Sequence, residues 1–207
     1  MQFPVEDIDA DELARREALF GPLADTVREL IDVTIRSEAD EDTILEAAQR
    51  IRDVTKRLND RRCEGGFGVR FTEHGHMMTW GNAVSGLRNA IAPPLVVEQA
   101  ADGGMCSDFT LGAAYEGPPG LVHGGVCALV LDQVCGMAAS TAKPNLTGTL
   151  SLRYRRPTPL GPVRARARID RIEGVKTFVV GELYDADGNV TVSAEGVFIL
   201  PAWARGR

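Results

Sequence analysis

The stretch HGGVCALVLD, residues 123–132, holds a histidine, a glycine pair and, nine residues after the histidine, a carboxylate. Between His123 and Lys143 the only charged side chain is Asp132; the rest of the run is apolar or small. The turn formers Gly117-Pro118-Pro119-Gly120 come just before it, so a helix is expected to begin around His123–Gly125. Free amides at a helix start, together with the helix dipole, favour partial negative charge. Glycine lets a ligand come close to the backbone. This combination suits the oxygen of a polarised carbonyl. A carboxylate buried in a core helix is costly unless it meets a hydrogen-bond donor, water or a substrate. A neighbouring Ser, Thr or backbone amide would satisfy Asp132 without any catalysis.

Gly124 and Asp132 are eight residues apart, which is about 12 Å along one helix at ~1.5 Å per residue. They cannot both touch one carbonyl carbon. Two antiparallel copies of the helix about a two-fold axis would set Gly124 of one beside Asp132 of the other. A catalytic reading therefore predicts a homodimer with two shared sites.

Other chemistries find little support. The sequence has no GxSxG, no GxxxxGK[ST] and no GxGxxG. Cys63, Cys106, Cys127 and Cys135 form no CxxC pair, and two of them lie in the apolar run. A reduced, cytoplasmic protein is the expectation. Glu73, His74 and His76 lack a second ligand cluster and read as an ordinary loop, so no metal is expected. A net charge of −6 argues against general nucleic-acid binding. The acidic start, MQFPVEDIDADELARRE, does not read as a signal peptide. Residues 124–142 are long enough to span a bilayer, but Asp132 and the many small residues favour a helix buried in a soluble fold, without membrane insertion.

Residues 10–62 carry helical periodicity, with an expected break at Gly21-Pro22. They read as a helical hairpin that caps a domain or pairs with a partner. Residues 63–94 are irregular and punctuated by Gly and Pro, as in a loop laid over the main domain. From residue 95 strand patterns begin: LVVEQA and MCSDFTLG, then the apolar helix, then TGTLSLRYRR, PVRARARIDRI, VKTFVVGELYDA and VTVSAEGVFIL. The last four read as an antiparallel meander. The expectation is an α+β protein: helical extension 1–62, connecting segment 63–94, and a domain over 95–201 in which a curved sheet wraps an apolar helix.

Pairing TLSLRYRR with VRARARI sets Leu150, Leu152 and Tyr154 on the same face as Ala165, Ala167 and Ile169. Arg153 and Arg155 then share the other face with Arg164, Arg166 and Arg168. Like charges opposed across strands repel. Solvent and nearby carboxylates such as Glu182 can neutralise them, as can a polyanion such as a nucleotide phosphate tail. Arg156, beside Pro157, can reach a ligand at the rim.

The set GPPGLVHGG, Asp132 and LTGTLSLRYRRPTPLG resembles the hotdog-fold acyl-CoA thioesterases over about residues 90–200. The branch it matches is the PaaI-like one, which includes human thioesterase superfamily members related to carboxyl-terminal modulator protein. The resemblance implies hydrolysis of an acyl-CoA thioester to free acid and CoA at a dimer interface, with no cofactor. It implies that the Gly124 amide binds the thioester oxygen, that His123 helps shape that hole and that Gly125 binds substrate. Asp132 from the other subunit would activate water or attack directly, and Thr147 would position it. Arg153, Arg155 and Arg156 would meet CoA phosphates, and the acyl chain would run between helix and sheet. Strand parity groups Thr147 with Thr149 and Ser151, so it should reach the helix only through a bend. Many relatives carry Asn where this chain has Gly117, which weakens an Asn-dependent mechanism. A hydratase or dehydratase, or a non-catalytic acyl-CoA-binding or regulatory module, are the alternatives. Whether dimers pair into a tetramer is left open.

Overall fold

The structure, a computed structural model, describes residues 3–205; the first two residues of the expected helical extension lie outside the described residues. Helix α1 spans Ala10–Arg36, opened by the Asp9 side chain, which accepts the Glu12 amide. It runs straight through Gly21-Pro22, where the sequence suggests a break. Proline removes one helical hydrogen bond and costs about 3 kcal/mol in a helix interior. Packing on both sides offsets this. Phe20 lies 6.4 Å from the Trp80 ring, and Ala24 is buried. Helix α2, Glu41–Asn59, is capped by Asp40. The expected hairpin packing is absent among the described residues: α2 buries none of its residues, and no element packs extensively along it.

Residues 63–94 are less irregular than the Gly and Pro content suggests. Strands β1 (Val5–Glu6), β2 (Arg70–Thr72) and β3 (Met77–Met78) form a small sheet. Ile8, Met78 and Trp80 form a satellite core with Leu13 and Phe20 of α1. Further on, Val84 enters the main core, and the Gln133 Nε2 donates to the Ser85 Oγ at 3.2 Å. The segment therefore covers one flank of the central helix.

The main domain carries β4 (Glu98–Gln99), β5 (Met105–Leu111), α3 (Gly124–Ala139), β6 (Leu146–Tyr154), β7 (Gly161–Glu173), β8 (Lys176–Tyr184) and β9 (Val190–Ile199). The six strands form one antiparallel sheet in the order β4-β5-β7-β8-β9-β6. The sheet curves round α3, which gives the hotdog arrangement. Cys127, Val130, Leu131, Val134, Cys135 and Ala138 bury against it. Gly181 lets β8 approach closely, since a Cβ there would stand 2.5 Å from the Cys135 Sγ.

One expectation is overturned here. The last four strands are not a simple meander, because β6 pairs with β9 and β7 pairs with β5 and β8. The connection after β6 is tied to the GPPG loop instead of turning back. The Val122 amide donates to the Thr158 carbonyl, and the Leu160 amide to that of Gly120. That carries the chain across the start of α3 to the middle of the sheet. The sheet wraps α3 as expected, and it leaves one stripe of the helix uncovered. Gly125, Leu129, Asp132 and Gly136 recur at helical spacing along one stripe. Gly125 and Leu129 are exposed, and Asp132 is only half-buried.

The arginines do share the outer face of the sheet, though by another route. Arg153 opposes Ser193, Ser193 opposes Glu182, and Glu182 opposes Arg166. Carboxylates on the β5 side answer the charge. Asp108, directly opposite Arg164, accepts two hydrogen bonds from it at 2.6 and 2.9 Å, and Asp102 pairs with Arg166 at 2.9 Å. The hydrogen bond from Arg164 holds the Asp108 carboxyl below its ordinary range.

Candidate active site

The loop before α3 is closed on itself. The His123 amide donates to the Tyr115 carbonyl, the Gly117 amide to that of Leu121, and the Gly120 amide to the Glu116 carboxylate at 2.6 Å. Gly120 has φ 73°, a conformation that favours glycine. Gly117 is needed for a different reason. A Cβ there would lie 2.8 Å from the His123 Cα and 3.2 Å from its Cδ2, so the histidine occupies the room a side chain would take.

His123 is the N-cap of α3, and its Nδ1 accepts the Gly125 amide at 3.0 Å. In the neutral ring the proton therefore sits on Nε2. The His123 carbonyl takes the amides of Val126 and Cys127. Among the described residues the Gly124 amide has no acceptor. Gly124 lines a groove of about 470 Å³ together with Tyr154, Arg155 and Arg156. The Tyr154 hydroxyl donates to the Gly124 carbonyl at 2.8 Å. Burial raises the Tyr154 pKa above the usual phenol value, so it stays a neutral donor. Tyr154 had no assigned role in the sequence. Its placement on the Leu150–Leu152 face was the available signal.

About two turns of helix further on, the Thr147 hydroxyl donates to the Asp132 carboxylate at 2.9 Å. The bend that permits this is at Gly148. Thr147 opposes Phe198 and Thr149 opposes Val197, so Gly148 is an extra residue in the ladder. The bulge moves Thr147 onto the face that carries Leu150. Both marked positions on α3 are thus held by opposite ends of β6: Asp132 by Thr147 and Gly124 by Tyr154.

Arg155 and Arg156 reach the groove, but Arg153 lies on the outer face of the sheet and does not. The Arg155 Nε donates to the Ser193 Oγ at 2.5 Å. Below the groove, the Cys127 thiol, the Thr158 and Thr191 hydroxyls and the Leu183 carbonyl form a buried chain. Burial pushes the Cys127 thiol up and the Cys135 thiol up to about 12, which leaves both protonated and unreactive at neutral pH. His74 and His76 lie in the connection between β2 and β3, and among the described residues no group of three or more His, Cys, Asp or Glu side chains is placed to hold a metal. No helix among the described residues is long and apolar enough to cross a membrane.

A family model, thioesterase superfamily, matches residues 119–192, which contain the end of the loop, α3 and the Thr147 bulge. A solved structure described as a thioesterase superfamily protein is 33% identical, covers 87% of this chain and 94% of its own, and superposes with a TM-score of 0.77. The chain belongs to the thioesterase superfamily. Among curated thioesterases, acyl-coenzyme A thioesterase THEM4 of Rattus norvegicus is 35% identical over 80 residues, 38% of this chain and 35% of that protein. THEM4 of Xenopus laevis is 33% identical over 94 residues, 44% of this chain and 42% of that protein. The chain thus spans well under half the length of these two curated relatives. The likeness to the solved structure extends over most of the chain, and its 87% coverage takes in at least part of the helical N-terminal region.

Proposed function

We propose that this protein hydrolyses acyl-CoA thioesters to free acid and CoA, at two sites shared between the protomers of a homodimer. The observation that carries the reading is the uncovered stripe of α3. Asp132 lies on it, and the unpartnered amide of Gly124 sits at the start of the same helix, roughly 12 Å away, so the two cannot serve one carbonyl together. A second copy laid antiparallel completes each half-site. The names of the curated relatives, acyl-coenzyme A thioesterases, support the substrate class.

In this reading the thioester oxygen accepts the Gly124 amide, and the start of α3 stabilises the charge that develops on it. His123 presents its Nε2 proton at the rim. The partner subunit's Asp132 takes a proton from water as the water oxygen bonds to the carbonyl carbon. The carbon–sulfur bond then breaks, and the proton passes to the departing CoA thiolate. Direct attack by the carboxylate would instead pass through an anhydride that water opens to the same products. Thr147 fixes the carboxylate, and Tyr154 fixes the carbonyl side of Gly124. Arg155 and Arg156 meet the CoA phosphates, and no metal or redox group is required. Free cysteines throughout fit a reducing, cytoplasmic setting.

The test is thiol release from short, long and aryl acyl-CoAs. Asp132→Asn is expected to lower kcat at least a hundredfold with the dimer retained. Equal rates for the variant and wild type would sink the assigned chemistry.

A further inference from the structure

Helix α2 has 19 residues and buries none of them. Helices in proteins are stabilised chiefly by packing an apolar face, and a short helix without such packing is marginal in water. Yet α2 carries such a face. Ile44, Ala47, Ile51, Val54 and Leu58 follow one another at spacings of 3, 4, 3 and 4 residues. Ile44, Ile51, Val54 and Leu58 stand between 40 and 53% exposed. Leu45 and Ala48 are apolar too, but four of the five large apolar residues keep to the 3-4 repeat, which is the pattern of a coiled-coil seam.

The charges decide the orientation. Asp40, Glu41, Asp42 and Glu46 fill the N-terminal half. Arg50, Arg52, Lys56 and Arg57 fill the C-terminal half, with Asp53 the one acid among them. A parallel pair of α2 helices would bring like halves together. An antiparallel pair brings acidic half to basic half. Ile51 is the midpoint of the seam, seven residues from both Ile44 and Leu58.

We propose that α2 is a self-association helix, which pairs antiparallel with α2 of a second copy of this chain about a two-fold axis near Ile51. The pairing is isologous, so this contact by itself closes after two copies. It uses no residue of the catalytic stripe and stands independently of the thioesterase reading.

Disulfide trapping in the full chain tests this. The background carries Cys63→Ser and Cys106→Ser; Cys127 and Cys135 are buried and can stay. Under mild oxidation Ile51→Cys is expected to form a covalent dimer on the order of tenfold faster, or more, than Leu45→Cys, which is exposed but off the seam. Ile44→Cys alone should not cross-link, while a mixture of Ile44→Cys and Leu58→Cys chains should. Cross-linking of Ile44→Cys to itself would mean a parallel pair and overturn the proposal. So would an Ile51→Cys rate no faster than that of Leu45→Cys. Trapping of Ile51→Cys against Val27→Cys on the exposed face of α1 would overturn it in favour of α1 as the partner.

Discussion

Thr147 reaches Asp132 because Gly148 does not take part in the ladder. The extra residue turns the Thr147 hydroxyl toward α3, where it donates to the carboxylate at 2.9 Å. Without the bulge, parity would aim that hydroxyl at the opposite face of the sheet. Thr147→Ala should lower kcat by about tenfold or more with little change in KM, and Thr147→Ser should restore most of it. Steady-state thiol release on the three proteins checks this.

Gly124 can lose its amide proton without losing its helix. It is the first helical residue, where proline is favoured, and the preceding His123 has ψ 131°, which proline tolerates. Gly124→Pro should therefore fold but release little thiol. Mixed and re-equilibrated one to one with Asp132→Asn chains, it should recover about a quarter of wild-type activity, since half the dimers would carry one intact site of two. No recovery after verified subunit exchange would count against shared sites.

Gly117→Ala tests the room His123 occupies. A Cβ at 2.8 Å from the His123 Cα forces the cap to shift. Activity is expected to fall while far-UV circular dichroism stays unchanged. Full activity would show that the histidine can move without consequence.

Gly181→Ala should destabilise the fold by about 1–3 kcal/mol, because its Cβ would stand 2.5 Å from the Cys135 Sγ. Removing that sulfur with Cys135→Ala should recover part of the loss in the double variant. Urea denaturation of the four proteins closes the cycle.

Glu6 makes a pH-dependent contribution. The hydrogen bond from Arg70 holds its carboxyl below the ordinary 4.5, with burial opposing and Arg16 assisting. A carboxylate with a lowered folded-state pKa stabilises fully above its unfolded value and loses that stabilisation as pH falls through the folded one. The Tm advantage of wild type over Glu6→Gln should be constant above about pH 5 and shrink below 4.5. An advantage that persists unchanged at pH 3 would remove Glu6 from the acid response.

Much of the site was legible because its signals are local. A turn followed by an apolar run places the start of α3, and strand parity demands a bend near Thr147. Sheet order was not legible, since β6 and β7 are neighbours in sequence with matching patterns. What separates them is a distant contact, the GPPG loop bonded to Thr158 and Leu160. The arginine neutralisers were missed for the same reason: Asp108 lies on a strand that only the true order sets beside β7. At Pro22 a local rule predicted a break, and the packing of Phe20 and Ala24 overrode it.

The pairing of β6 with β9 also orders events in time. During synthesis β6 emerges before β7 and β8, yet its ladder partner is the last strand of the sheet. Until β9 arrives, Leu150, Leu152 and Thr147 have no template, and an apolar strand edge waits unpaired, open to misassociation. A ribosome that stalls before β9 therefore yields a chain with α3 but no support for Asp132. Such a product should be inactive outright and not weakly active, so the topology itself acts as a check that translation ran through the sheet.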